Sequence, residues 1–336
     1  METIAIPGTD LQPTRIGLGT WAIGGWLWGG TSEADSIRTI EAAVEHGITL
    51  IDTAPIYGFG HAEEIIGKAL RKSDLRAKVV LATKCGLAWF EGGQLPHRNA
   101  SRARILREVE DSLQRLKTDV IDIYQVHWPD YETPIEETAQ TLKELLEQGK
   151  IRAIGVSNFA PSQMEAFRAV APLATSQPPY NLFERRVEAD VLPYCREHGI
   201  VTLTYGALCR GLLSGRMTPE TTFEGDDIRT WDPKFCTPRF TEYLAAVECL
   251  DSLAQERWGK RVVHLALRWL LDQPGVGIAL WGARRPEQLA PLAGIEGWSL
   301  NDDDRAAIER IISEAVTDPI GPEFMGPPKR RPAPPA

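Results

Sequence analysis

The sequence predicts an α/β fold, a (β/α)8 barrel of the TIM type, on three observations. Eight short β-branched or apolar runs recur along the 336 residues, amphipathic segments with helical spacing lie between them, and no linker rich in proline, serine or charge interrupts residues 15–315. The usual barrel size of about 250 residues leaves room for added loops and helices. One domain, 1–336, is the expected organisation.

Residues 3–13 read as a short hairpin that closes the barrel bottom. The strand runs are 15–19, 49–53, 79–83, 120–126, 151–156, 174–177, 201–205 and 277–281. Helical spacing marks 34–45, 61–71, 102–116, 134–147, 161–169, 187–197 and 262–271. Pro134 and Pro161 suit first-turn positions, with Thr133 and Ala160 where a cap would sit. A long polar loop, 218–238, follows the seventh strand and leads to an added helix at 240–258. A last helix, 301–315, carries acids in its first turn and runs into an extended proline-rich C-terminal tail, 318–336. Long loops at one barrel end usually carry function.

Composition limits the function classes. Apolar residues make up 43% and charged residues 25% of the chain, an ordinary globular mixture. The longest apolar stretches, such as 276–283, fall far short of the ~20 residues of a membrane-spanning helix, and the opening METIAIPGTD holds no basic-then-apolar leader. Against 46 acidic residues stand 37 basic ones, a net charge of −9, which disfavours nucleic acid as a partner. Cys85, Cys195, Cys209, Cys236 and Cys249 form no C-x-x-C pair and fit neither a disulfide framework nor a thiolate metal site. The expectation is a soluble, cytoplasmic protein with no membrane partner.

Active sites of such barrels stand at the C-terminal strand ends. Asp52 ends the second strand, Tyr57 lies five residues on, Lys84 ends the third strand and His127 the fourth. Singly, such an Asp reads as a helix cap, and a Tyr or His as a satisfied core group. Together they form an acid with its own tuning groups. A Tyr hydroxyl, pKa about 10, is a poor donor at neutral pH, and a neighbouring ammonium lowers that value. Asp52 would keep Lys84 charged and in place, while His127 would orient a substrate carbonyl oxygen.

These residues and the strings around them resemble the aldo-keto reductase superfamily. The strings are IGLGTW (16–21), GITLIDTAPIYGFGHAEEIIGKAL (47–70), TKCG (83–86), GKIRAIGVSNF (149–159), QPPYNLFERR (177–186), YGALCRGLLSG (205–215) and LWGARRPEQL (280–289), in the family's order across nearly the whole chain. The last two, with PEFMGPP near the C-terminus, are similar to the bacterial branch that contains general-stress aldo-keto reductases and a glyceraldehyde reductase. The resemblance implies a nicotinamide-dependent interconversion of carbonyl and alcohol. Tyr57 would be general acid in reduction and general base in oxidation, supported by Lys84, Asp52 and His127, and no metal is required.

GFG at 58–60 lacks the third glycine of a G-x-G-x-x-G loop, which disfavours a Rossmann mode of cofactor binding. The resemblance instead implies that Ser157, Asn158 and Gln177 hold the nicotinamide amide and that Tyr205 stacks on its ring, with Thr20 and Trp21 in the same site. The pyrophosphate would lie under the loop 206–216, with Gly206, Ala207, Leu208, Arg210, Gly211 and Arg216. The adenosine phosphate would stand by Gly282, Arg284, Arg285 and Gln288 at the start of the last barrel helix. A helix N-terminus with a guanidinium suits a 2′-phosphate, so NADPH is favoured, with NADH the alternative. Three departures from the family bear on the adenine end: Gly206-Ala207-Leu208 in place of Ser-Pro-Leu, Trp281 in place of Pro, and Leu292 where Asn is common.

Trp21, Trp26, Trp28, Trp89, Phe90 and Trp128 all follow strand ends. Such rings would narrow the mouth and select small aldehydes, glyceraldehyde- or methylglyoxal-like; they would equally serve to pack the rim. The expected activity is NADPH-dependent reduction of a small-molecule carbonyl substrate. Two alternatives stand, an NAD(P)-dependent sugar or polyol dehydrogenase and a cofactor-binding regulatory subunit of the potassium-channel β type. The sequence is compatible with a homo-oligomer.

Overall fold

The computed structural model describes residues 1–89 and 96–328. Eight parallel strands close into a barrel in sequence order: β1 (Ile16–Gly19), β2 (Leu50–Asp52), β3 (Val80–Cys85), β4 (Ile121–Val126), β5 (Ile151–Ser157), β6 (Thr175–Gln177), β7 (Val201–Thr204) and β8 (Ile278–Gly282). Leu18 pairs with Ile51 on one side of β1 and Ile16 with Ala279 on the other, so the barrel has no open edge. All eight strands lie where the β-branched and apolar runs predict them.

Side chains alternate across the barrel wall. Leu50, Val80, Ile123, Leu203 and Ile278 fill the interior, and Ile6 and Leu11 join them from below. Ile51, Leu81 and Tyr124 belong to the outer layer with helix residues such as Ile40, Ile65 and Ile105. The N-terminal hairpin is pinned by the Ile4 N–H on Pro13 O and the Ile6 N–H on Leu11 O, both at 2.9 Å. It plugs the bottom of the barrel, leaving the C-terminal strand ends as the open face.

The helices are α1 (Glu33–Glu45), α2 (His61–Lys72), α3 (Arg102–Leu116), α4 (Ile135–Glu147), α5 (Pro161–Arg168), α6 (Val191–Glu197), α7 (Arg239–Trp258), α8 (Val262–Leu271) and α9 (Asp302–Ala315). Three details differ from the sequence expectation. Pro134 caps α4 from outside instead of entering its first turn, and the Thr133 hydroxyl donates to Asp130 at 2.7 Å. Helix α6 begins only at Val191, whose N–H donates to the Asp190 carboxylate at 2.6 Å; Arg186–Glu188 is a separate 3-10 turn. After β8 the chain forms a 3-10 segment, Pro286–Gly294, and no α-helix, because Pro291 inside it cannot donate to an α-helical ladder.

Three excursions gather over the open face. Leu87–Ala88 and His97–Arg98 pair as a small antiparallel hairpin after β3. The long loop after β7 contains two 3-10 turns, Ile228–Thr230 and Pro233–Phe235. It is clasped to the loop after β1: the Asp226 carboxylate accepts from Leu27 N–H at 2.9 Å and Gly29 N–H at 3.2 Å. The C-terminal segment, expected to be an extended tail, is instead strapped down as far as Pro328. Ile320 N–H donates to the Tyr243 hydroxyl, Phe324 packs edge-on to Trp231, and Arg98 donates to Pro327 O. Residues 329–336 lie outside the described residues. Among the described residues, no helix is long and apolar enough to cross a membrane.

Candidate active site

Two glycines set the position of Tyr57. Gly24, in the loop after β1, lies so close to the Tyr57 loop that a Cβ would stand 2.5 Å from Tyr57 C. Gly58 reciprocates at φ +66, where a Cβ would stand 2.2 Å from Gly24 O. The two loops therefore touch through backbone, and Tyr57 is held over the end of β2.

Asp52, Tyr57, Lys84 and His127 converge as predicted. Lys84 Nζ donates to Asp52 Oδ2 at 2.8 Å and to Thr53 O at 2.7 Å, and it lies 3.3 Å from the Tyr57 hydroxyl. The Lys84 side chain is fully buried. The His127 ring stands edge-on to Tyr57 with centroids 5.8 Å apart.

The electrostatics correct one expectation. Lys84 was expected to lower the Tyr57 pKa, but burial, and after it the Asp52 carboxylate, push the phenol well above its ordinary value. Burial also lowers Lys84, with Asp52 opposing, and holds His127 well below its usual range with the help of the Lys84 charge. The arrangement therefore offers a protonated phenol and a neutral imidazole at neutral pH, with the ammonium behind them.

The amide-bearing residues form a connected set beside this group. Ser157 Oγ donates to Gln177 O at 2.8 Å, and Asn158 Nδ2 donates to His127 O and to Ser157 Oγ, both at 3.0 Å. The Tyr205 hydroxyl donates to Asn158 Oδ1 at 2.9 Å. Gln177 Nε2 donates to Asp52 Oδ1 at 2.8 Å, a contact that the sequence did not suggest.

A cleft of about 520 Å³ runs outward from Tyr57. Thr20, Trp21, Tyr205, Gly206, Ala207, Leu208, Arg210, Gly211, Arg216, Gly282, Arg284 and Gln288 all line it; Ser157, Asn158 and Gln177 open onto the smaller cavity next to it. Arg210 shares in this lining, but its guanidinium is committed to Glu184 and Asp232. At the far end, the N–H groups of Arg284 and Arg285 both donate to Gln288 Oε1, so the helix-terminus donors expected there are already taken. Cations remain. Burial and the charges of Arg229 and Arg285 depress the Arg284 guanidinium, against one opposing carboxylate, Asp227.

Arg229 comes from the long loop and lies over the Phe223 ring at 4.2 Å and the Trp28 ring at 5.4 Å. Its only sequence signal was a basic residue in a long loop over the strand ends. Trp28 Nε1 is buried with no hydrogen-bond partner among the described residues, on a side chain that lines this cleft. Surplus guanidinium charge and an unused donor fit a phosphate-bearing cofactor.

The second cavity, about 110 Å³, opens on Tyr57 and His127. Trp21, Trp26 and Trp128 line it as expected. Trp28 and Trp89 do not: Trp28 faces the larger cleft, and Trp89 packs on the rim against Phe59 and under the Arg104 guanidinium. Phe90 lies outside the described residues. The sequence reading missed Leu27, Ile56, Leu87, Pro96, Met325 and Pro327, which complete the wall. Met325 arrives on the C-terminal strap, and nothing in a proline-rich tail signals that.

The aldo/keto reductase family model matches residues 15–313. The aldo-keto reductase YhdN of Bacillus subtilis is 62% identical over 330 residues, covering 98% of this chain and 99% of its own. An NADH-specific methylglyoxal reductase of Escherichia coli is 38% identical over 330 residues, covering 94% and 99%. The solved structure of glycerol dehydrogenase AKR11B4 from Gluconobacter oxydans superposes with a TM-score of 0.87 at 54% identity, covering 97% and 99%.

Proposed function

The chain belongs to the aldo/keto reductase family, and from that premise we propose that it reduces small uncharged aldehydes to alcohols with NADPH, Tyr57 giving the proton. As a member it is an NAD(P)H-dependent oxidoreductase. The observation that carries the reading is the Lys84 ammonium, bonded to Asp52 and 3.3 Å from the Tyr57 hydroxyl, where cleft and cavity meet.

When bound, the nicotinamide supplies the hydride. The chain's own work is to hold the carbonyl and move one proton. Neutral His127 is the donor that orients the carbonyl oxygen toward the Tyr57 hydroxyl. As negative charge develops on that oxygen, Tyr57 gives up its proton, and the phenolate left behind faces Lys84 Nζ. Burial and the Asp52 carboxylate hold the Tyr57 phenol protonated, so it parts with its proton only as negative charge develops on the substrate oxygen. Ser157, Asn158 and Gln177 would hold the nicotinamide amide, Tyr205 its ring, and Arg284 the 2′-phosphate, beside Arg229, which Asp227 holds through two nitrogens.

Substrate class is read from the small cavity. Aromatic and apolar side chains narrow it beside Tyr57 and His127, and no charged side chain stands in its lining among the described residues. A substrate carboxylate would find no counter-charge there. Glyceraldehyde- and methylglyoxal-like molecules fit this description.

The test is titration with NADPH and NADH by tryptophan fluorescence, followed by a panel of short aldehydes while the absorbance of the reduced cofactor is watched. Tyr57→Phe should lower kcat by about 10²- to 10⁴-fold while leaving the NADPH Kd near wild type. Tight binding without turnover of any carbonyl or alcohol would instead favour a regulatory cofactor-binding subunit.

A further inference from the structure

A second layer of polar groups lies inside the barrel beneath Tyr57. Gln125 on β4 and Gln177 at the end of β6 are both buried, and both reach the same atom, Asp52 Oδ1, at 3.4 and 2.8 Å. A carboxylate only accepts, so each amide presents its nitrogen. The other oxygen, Oδ2, holds Lys84. Asp52 is thus gripped from β3, β4 and β6 at once.

The barrel makes room for this reach. Gly155 on β5 stands between β4 and β6, and a Cβ there would lie 2.7 Å from Gln125 Cγ and 2.2 Å from Thr175 Oγ1. Gln125 also carries a cost, for its Oε1 is buried with no partner among the described residues. Ile123, two residues earlier on the same inward face, is apolar like most of the interior. A leucine at 125 would leave no orphaned acceptor. What it could not supply is the donor to Asp52.

We propose that Gln125 is a positioning residue for proton transfer: it fixes Asp52 Oδ1 so that Oδ2 keeps Lys84 Nζ against the Tyr57 oxygen. The role rests on the reductase reading given above. It also explains why two amides converge on one atom. When Gln177 engages the nicotinamide amide, Gln125 remains on Asp52 and the ammonium keeps its place.

The test compares Gln125→Leu with Gln125→Glu in the full-length protein. Gln125→Leu should lower kcat about tenfold, with aldehyde KM and NADPH Kd within about twofold of wild type and Tm unchanged or higher. The titratable groups that Gln125 faces are Asp52 and, through it, Lys84; Gly155 and Thr175 add none. Glu at 125 sets a second carboxylate on Asp52 when ionised and donates an O–H to it when protonated. Gln125→Glu should therefore recover kcat relative to wild type as pH falls, and Gln125→Leu should not. A Gln125→Leu kcat within about twofold of wild type, a Tm lowered by several degrees, or no acid recovery in Gln125→Glu overturns the proposal.

One readout needs no turnover. In thermal unfolding of wild type, Gln125→Leu, Asp52→Ala and the double variant, the effect of Gln125→Leu on Tm should differ by about 1 °C or more with and without Asp52. Additive shifts overturn the clamp even if wild type reduces no aldehyde, an outcome that would separately sink the reductase reading.

Discussion

Replacing Lys84 with methionine keeps the volume of a fully buried side chain and deletes its charge. Lys84 Nζ lies 3.3 Å from the Tyr57 hydroxyl. At that distance, with an effective dielectric of about 20, an ammonium and a full phenolate attract by about 5 kcal/mol. With about half the phenolate charge developed at the transition state, about 2–3 kcal/mol is lost, or ~10²-fold in rate. That figure is a floor, because the variant also leaves the buried Asp52 carboxylate without its cation, facing the same phenol. The assay is kcat/KM for a short aldehyde at saturating NADPH, with cofactor Kd measured separately by tryptophan fluorescence. A loss below about fivefold would mean that Lys84 does not stabilise the phenolate. A loss matched by an equal rise in NADPH Kd would mean that the variant damages the cleft and not the proton transfer.

Arg284→Ala removes one of the guanidiniums at the far end of the cleft, and the NADPH Kd should rise by about 10- to 50-fold with little change for NADH; equal small effects on both would refute the 2′-phosphate assignment. Met325→Ala enlarges the small cavity, so kcat/KM should rise for five- and six-carbon uncharged aldehydes and fall for three-carbon ones. Unchanged selectivity would show that the strap does not bound the substrate. Glu108 tests the hairpin after β3, since its carboxylate accepts from Gly86 N–H at 2.7 Å while Arg104 bridges it to Leu87 O. Burial pushes Glu108 up to about 7. The folded protein then retains a proton that an unfolded glutamate, pKa about 4.3, has lost, so this group's contribution to stability falls as pH rises from about 4.5 to 7. Glu108→Gln, which cannot ionise, should gain in Tm relative to wild type between about pH 5 and 8; parallel curves would refute the assignment.

The barrel was legible because its signal is periodic. Each strand carries apolar residues on both faces, since the interior and the helix layer are both buried, and each helix carries one apolar stripe. The meeting of Asp52, Lys84 and His127 was legible too, because they sit at strand ends and the topology brings those ends together. What failed to show was anything set by side-chain direction. Six rings follow strand ends, yet Trp28 turns to the large cleft and Trp89 to the rim, and no local pattern separates them from Trp26 and Trp128. Met325 reaches the site across more than a hundred residues of intervening chain. Gln125 sits two residues before His127, in plain view, but its role exists only because Asp52 stands across the barrel.

Arg210 lines the cleft where the sequence expects it, but its guanidinium is turned to carboxylates. It stands in the loop expected to lie over the pyrophosphate, and that loop runs through left-handed backbone at Cys209 (φ +46), Arg210 (φ +54) and Gly211 (φ +92). Two consecutive non-glycine residues in that region persist only where the surroundings over-determine them. Here the surroundings are a buried network of two cations and two carboxylates: Arg210 binds Glu184 and Asp232, and Lys234 binds Glu184 at 2.8 Å. Asn181 joins the same network to Gly206 O at 3.0 Å. Phe324 of the strap lies beside both cations, and Lys234 Nζ also donates to Gly321 O. The charges balance, so loss of any one member strands the others in a dry interior. The network therefore fixes the floor of the large cleft and the strap that carries Met325 into the small one. The strap that carries Met325 and the loop that would seat the cofactor are held as one body, through Arg210, Lys234 and the two carboxylates between them.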